Sequence, residues 1–326
     1  MKEKLLSILL RNSKYNFFYR KMAAINFKSL KEEEINEFLN SFDTVLSDCD
    51  GVLWNKNDPI PHAADTLNAF TQLGKRVFFV TNNSTKTRDE FVKKCHMLNF
   101  IATKDSIVST AHLVAQYLQD IKFNKKVYLI GSSGIAQELD KVGIGHIGLG
   151  PEGLLSEDFD FSHIKCDSEV GAVVVGFDLH FNYLKVLKAA SYLNNKDIIF
   201  IATNTDEQFP AGTNIIIPGT GSLVKCVETC AERPPIIMGK PSPYAAKMLE
   251  NNYQINPKRT LMIGDRANTD ILFGKRCGFK TLLVLTGCTQ LTQLETWKMS
   301  DDPKDHELLP DFYTNTIGDL LPHIKN

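Results

Sequence analysis

Asp48 and Asp50 stand one residue apart at the end of an apolar run, in the stretch LSDCDGVLW at 46–54. Alternate residues of an extended chain face the same side, so the two carboxylates share one space. Like charges this close repel unless a cation lies between them. Gly51 follows, and lets the chain turn sharply or bring its backbone against a ligand. A hard divalent ion such as Mg²⁺ takes oxygen ligands and leaves positions for water and phosphate. The plainer reading of the motif alone is a capped turn with solvated acids.

Further groups of the same kind follow apolar runs. Asp265 comes after TLMIG, and Asp270 lies five residues later in GDRANTD. A third strand-end carboxylate at 265 completes a metal shell. Asp270 falls at the start of the next helix, where its charge suits the helix dipole; it either orients the metal ligands or caps that helix. Thr81, Asn82 and Asn83 follow VFFV. A hydroxyl with loop N–H groups at a helix start forms an anion site, the alternative being an Asx/Ser turn with Ser84 as cap. Lys240 ends IIMGK, before PSPY, and needs a counter-charge that a phosphate or the aspartates would supply. Its alternative is a surface lysine at a turn. Together a nucleophilic carboxylate, an acid/base carboxylate, a hydroxyl, a lysine and a metal carboxylate equip a chain for phosphoryl transfer through an aspartyl-phosphate.

The elements that must position them read as strands and helices in alternation. Short apolar runs lie at 44–47, 77–81, 127–131, 172–176, 198–203, 236–239, 260–264 and 281–286, and several are nearly apolar throughout, as strands covered on both faces are. Helical patterns cover 63–73, 88–98 and 222–231, and another begins at Ser242 as N-cap with Pro243 at the first helical position. The alternation predicts an α/β fold with a mainly parallel sheet. Strand ends with chemistry fall early (48, 81) and late (240, 265), which predicts one catalytic sheet interrupted by an insertion. The expected division is an N-terminal extension at 1–40, core at 41–121, an inserted domain at 122–233 closed by the stiff Arg233-Pro234-Pro235, and core again at 234–326. Ligands of such sheets bind at the carboxyl ends of strands.

A formal charge of −1 offers no global basic field, so no nucleic-acid partner is expected. No apolar stretch reaches the ~20 residues needed to cross a bilayer, so no membrane partner is expected either. The seven cysteines form no CxxC and no zinc spacing, which points to a reducing compartment and a cytoplasmic address. Cys226 and Cys230, a helical turn apart beside Leu223 and Val227, read as core residues. The first 22 residues carry six basic residues against Glu3 alone, with an apolar side; they read as an extension or as a mitochondrial presequence.

The motifs DCDGVLW, TNNS, GKPSPY and GDRANTD, over roughly 42–290, resemble those of the haloacid dehalogenase superfamily, in particular its phosphatases with a large inserted C2-type cap. The branch resembled is that of the phosphoglycolate, 4-nitrophenyl and pyridoxal phosphatases. The resemblance implies a Rossmann-like core with an α/β cap. It implies that Asp48 attacks phosphorus and that Asp50 protonates the leaving oxygen, then deprotonates water. It also implies Mg²⁺ on the Asp48 and Asp265 carboxylates and the Asp50 backbone carbonyl, and Thr81 and Lys240 on the phosphoryl oxygens with help from loop N–H groups near Asp50, Gly51 and Asn82. The stretch ATNTDEQFPAG at 202–212 resembles the family's substrate specificity loop, which makes Asn204 and Phe209 specificity candidates. The pyridoxal branch carries histidine where Phe209 stands, so the resemblance points to a small metabolite, phosphoglycolate or glycerol phosphate. Pyridoxal phosphatase and protein phosphatase activities are the alternatives within the fold. A non-catalytic regulatory protein is the alternative outside it, against which the intact acids, threonine and lysine argue. PGTGSL at 218–223 either faces substrate with its N–H groups or caps a helix, and GFDLHFNY at 176–183 resembles a cap segment in which His180 has no chemical role. A homodimer paired through the caps is implied by resemblance.

Overall fold

Runs with few polar residues bury both faces, and the strands Thr44–Ser47 and Thr260–Gly264 are buried along their whole length. The structure, a computed structural model, describes residues 24–153, 155–209 and 215–324. The basic segment 1–22, with the presequence reading, lies outside the described residues, as do 210–212 of the specificity stretch. The two strands named above pair in parallel, Thr44 opposite Thr260 and Ser47 opposite Ile263. Arg76–Thr81 pairs in parallel on the other side of Thr44–Ser47. They are the centre of a seven-stranded sheet in the order Ile25–Asn26, Phe312–Thr314, Lys280–Val284, Thr260–Gly264, Thr44–Ser47, Arg76–Thr81, Ile107–Ser109.

Among the described residues the chain divides into two compact units, one of residues up to Phe79, Leu98–Ile101 and residues from Leu249 on, the other of Val80–Met97 and Ala102–Met248. The strand Arg76–Thr81 runs from the first into the second. The second unit has its own five-stranded parallel sheet, in the order Ile236–Ile237, Ile199–Ala202, Val170–Val175, Lys126–Ile130, His146–Ile147. Its core joins Tyr128, Val173, Leu193, Phe200 and Val227. A buried ion pair between Asp178 and Lys185 ties the GFDLHFNY segment to the helix Tyr183–Leu193. The α/β class expected from strand–helix alternation is the class observed.

Several local expectations are corrected. The strand before Lys240 is only Ile236–Ile237, and it lies at the edge of the five-stranded sheet, not in the sheet that carries Asp48. A short apolar run marks a strand but not the sheet it joins. Ser242 does accept from the Tyr244 N–H, but the helix starts at Tyr244, with Pro243 supplying the first helical carbonyl. Ser84 does not cap the next helix: Thr87 and Glu90 form the reciprocal box before Arg88–Met97. Cys226 and Cys230 are exposed, and the inward stripe of Thr220–Ala231 is Val224 and Val227. In addition, Ile25–Asn26 pairs with Phe312–Thr314, and Phe27 and Phe38 are buried.

Candidate active site

The strand Thr44–Ser47 delivers Asp48, whose N–H continues the parallel ladder by donating to the Ile263 carbonyl at 2.8 Å. The chain then turns on the Cys49 carbonyl, which accepts the N–H groups of Val52, Leu53 and Trp54. Gly51 has φ +82°, and a Cβ there would come within 2.7 Å of an Asp265 oxygen, so the turn and the close approach both require glycine. Asp50 is exposed, and its Oδ1 accepts the Trp54 indole N–H at 2.9 Å.

Asp265 leaves the neighbouring strand. Its Oδ2 accepts the Cys288 N–H at 2.7 Å and its carbonyl accepts the Thr289 N–H at 2.9 Å. A π-helical turn, Ala267–Ile271, then returns Asp270 towards the strand end, where its Oδ2 accepts the Arg266 N–H at 3.0 Å. Asp270 thus closes its own turn and also joins the acids. Side-chain oxygens of Asp48, Asp265 and Asp270 all lie within 4.8 Å of one another. Burial, and then the charge of Asp270, push the Asp265 carboxyl up to about 6, with the Cys288 N–H pulling the other way. Burial and Asp265 likewise push the Cys288 thiol up to about 11, so it stays protonated at neutral pH.

In the second unit, the Thr81 hydroxyl accepts the Asn83 N–H at 3.1 Å, and the Asn83 side chain accepts the Thr85 N–H and hydroxyl in an Asx turn. Lys240 is 2% exposed, and its Nζ donates to the Val80 carbonyl at 2.8 Å, at the end of the Arg76–Thr81 strand. Asn82 donates to the Lys240 carbonyl and to Asp206, and accepts the Lys240 N–H. Asn204 is buried, with its amide directed at Asp206 and Thr203. Phe209 is half-buried edge-on to Phe177, ring centroids 5.3 Å apart. The N–H groups of Gly219 and Gly221 donate to the carbonyls of Glu207 and Asp206.

The first unit therefore brings together Asp48, Asp265 and Asp270, with Asp50, two residues after Asp48, hydrogen-bonded to Trp54, and the second brings together Asn82, Asn204 and Lys240. Sequence reasoning did not single out Trp54, Cys288 or Asp206. Asp206 had a signal, standing two residues after Asn204 inside the specificity stretch. Cys288 had none, because its contact spans 23 residues of chain.

Residues 45–145 match the family model of haloacid dehalogenase-like hydrolases, and 237–319 match a second HAD-like hydrolase model. The chain is 40% identical to human glycerol-3-phosphate phosphatase, over 91% of this chain and 95% of that protein. It is 38% identical to phosphoglycolate phosphatase 1A, chloroplastic, of Arabidopsis thaliana, over 89% and 79% of the two chains. Among solved structures, the p-nitrophenyl phosphatase of Archaeoglobus fulgidus superposes with a TM-score of 0.73 at 28% identity, over 86% of this chain and 99% of that one. The chain belongs to the haloacid dehalogenase-like hydrolases, among their phosphatases.

Proposed function

We propose that this chain is a Mg²⁺-dependent phosphomonoesterase that works through an aspartyl-phosphate at Asp48. Its proposed substrates are small phosphorylated metabolites, with phosphoglycolate and glycerol phosphate the preferred class. The observation that carries the reading is the meeting of Asp48, Asp265 and Asp270 within 4.8 Å. An all-oxygen donor set, partly buried and mutually repelling, fits a hard divalent cation. Asp48, Asp265 and the Asp50 backbone carbonyl would hold the ion, with Asp270 orienting the set. When bound, the ion offsets the charge of nucleophile and substrate and polarises the phosphoryl oxygens.

The residues divide the chemistry. A carboxylate oxygen of Asp48 bonds to phosphorus as the ester P–O bond breaks. Asp50 gives its proton to the departing oxygen. Its Oδ1 is anchored by Trp54, so the other oxygen handles the proton. Water then attacks the acyl phosphate, Asp50 takes the water's proton, and orthophosphate leaves with Asp48 restored. Thr81 and Lys240 bind phosphoryl oxygens, with N–H groups of the loop around Asn82 and Asn83.

Phe209 and the names of the human and Arabidopsis relatives support the substrate class. Residues 122–233 are read as the cap that closes over the leaving group. Exposed Leu179, Tyr183 and Phe161 within it support pairing of caps in a homodimer. The seven free cysteines support a cytoplasmic address. The decisive test is hydrolysis of 4-nitrophenyl phosphate with Mg²⁺ or with excess EDTA. Chelation should silence the enzyme. Asp48→Asn should fall by about four orders of magnitude and Asp50→Asn by roughly 10²–10⁴, with folding intact by circular dichroism. Ordinary turnover by Asp48→Asn removes the covalent route.

A further inference from the structure

We propose that Asp206 is a positioning residue for the phosphate-binding lysine: its carboxylate fixes the Asn82 amide in the orientation that clamps the Lys240 backbone. The proposal rests on the reading of Lys240 given above and assigns Asn82, Asn204 and Asp206 to its support.

The Lys240 N–H donates to Asn82 Oδ1 at 2.9 Å, and the Lys240 carbonyl accepts from Asn82 Nδ2 at 3.0 Å, a two-point pair across 158 residues of chain. A flipped amide would set donor against donor and acceptor against acceptor. Asp206 Oδ2 accepts the same Asn82 Nδ2 at 3.0 Å. An ionised carboxylate only accepts, so it admits the NH₂ end of the amide and excludes the carbonyl end. Asn204 Nδ2 donates to that oxygen as well, at 2.6 Å, while Asn204 Oδ1 accepts the Thr203 hydroxyl at 2.8 Å. The Asp206 backbone is itself tied, its carbonyl accepting the Gly221 N–H at 2.8 Å in the first turn of the helix Thr220–Ala231. Thr203, Asn204 and Asp206 are buried, at 0%, 1% and 8% exposed, and Asn82 is half-buried. Burying a carboxylate costs free energy that an apolar residue would not, and bonds to a charged acceptor are short and directional. What this carboxylate secures is the orientation of one amide, and through it the backbone that carries the lysine head towards the Val80 carbonyl.

The test uses the full chain, 4-nitrophenyl phosphate kinetics and competitive inhibition by orthophosphate. Asp206→Ala should raise the orthophosphate Ki and lower kcat/KM by about 10- to 100-fold, the cost of misplacing a contact by about an ångström. The Mg²⁺ concentration for half-activation should not move, which a general structural defect would shift. Asp206→Asn keeps a carbonyl acceptor without charge and should lie between, raising Ki several-fold; it decides alone if the alanine variant does not fold. Combining Asp206→Ala with Asn82→Ala should cost no more than about twofold beyond Asn82→Ala, because both act through one clamp. Multiplicative losses, or an unchanged orthophosphate Ki, overturn the proposal. Lys240→Met separates the two levels. If it raises Ki while Asp206 variants do not, only the role of Asp206 fails. If it leaves Ki unchanged, the reading of Lys240 fails and this one with it.

Discussion

In the metal site proposed above, Asp265 carries a local electrostatic cost. The carboxyl is 4% exposed and pushed up to about 6, first by burial and then by Asp270. An acid with a folded pKa above its unfolded value holds its proton more tightly in the fold. Stability from this group therefore falls as pH rises from about 4 to about 6, and the full penalty, on the order of 2–3 kcal/mol, applies above that window. A bound divalent cation reverses the penalty by supplying the missing counter-charge. Asp265→Asn should accordingly melt a few degrees above the wild type in EDTA at pH 7.5, and the gain should shrink at pH 4. Added Mg²⁺ should raise the melting temperature of the wild type and not of the variant. A variant less stable than the wild type in EDTA at neutral pH would contradict the assignment of Asp265 as a strained ligand.

At the scale of elements, the acids depend on a strand end and the turn that doubles back on it. A Cβ at Gly264 would lie 2.1 Å from the Asp270 Cβ, so the π-helical turn Ala267–Ile271 closes only over a glycine. Gly264→Ala should cost about 2–4 kcal/mol in urea unfolding and weaken Mg²⁺ activation at the same time. Unfolding and activation curves like the wild type's would mean that the turn is free to move. The strands Thr44–Ser47 and Thr260–Gly264 were legible to the residue, because a short run with an apolar centre that stops at a carboxylate marks both the strand and its end. The strand-end positions of Asp48 and Asp265 were legible for the same reason, whereas Asp270, five residues further on, could be read only as an orienting group or a helix cap. The sheet that receives Ile236–Ile237 was not, since two residues at a sheet edge carry no pattern of their own. Nor was the π-helical turn, or the pairing of Asn82 with Asp206 across 124 residues, which only the folded chain creates.

At the scale of the whole molecule, 37 basic residues against 38 acidic ones give no net field to gather a polyanion. Selection among phosphate esters must come from local contacts instead. On the proposed reading of Phe209 as a specificity residue, its ring, edge-on to Phe177, stands where a histidine would offer a hydrogen bond. A site built to hydrogen-bond a polar leaving group loses strongly when that bond is absent, whereas an apolar wall discriminates only by fit. The wild type should therefore favour phosphoglycolate or glycerol 3-phosphate over pyridoxal 5′-phosphate and a phosphotyrosine peptide by about tenfold or more in kcat/KM. Phe209→His should narrow the ratio for pyridoxal 5′-phosphate while leaving 4-nitrophenyl phosphate turnover within about threefold of the wild type. A purified enzyme that hydrolyses the phosphopeptide faster than either small ester would place specificity elsewhere than in this apolar contact.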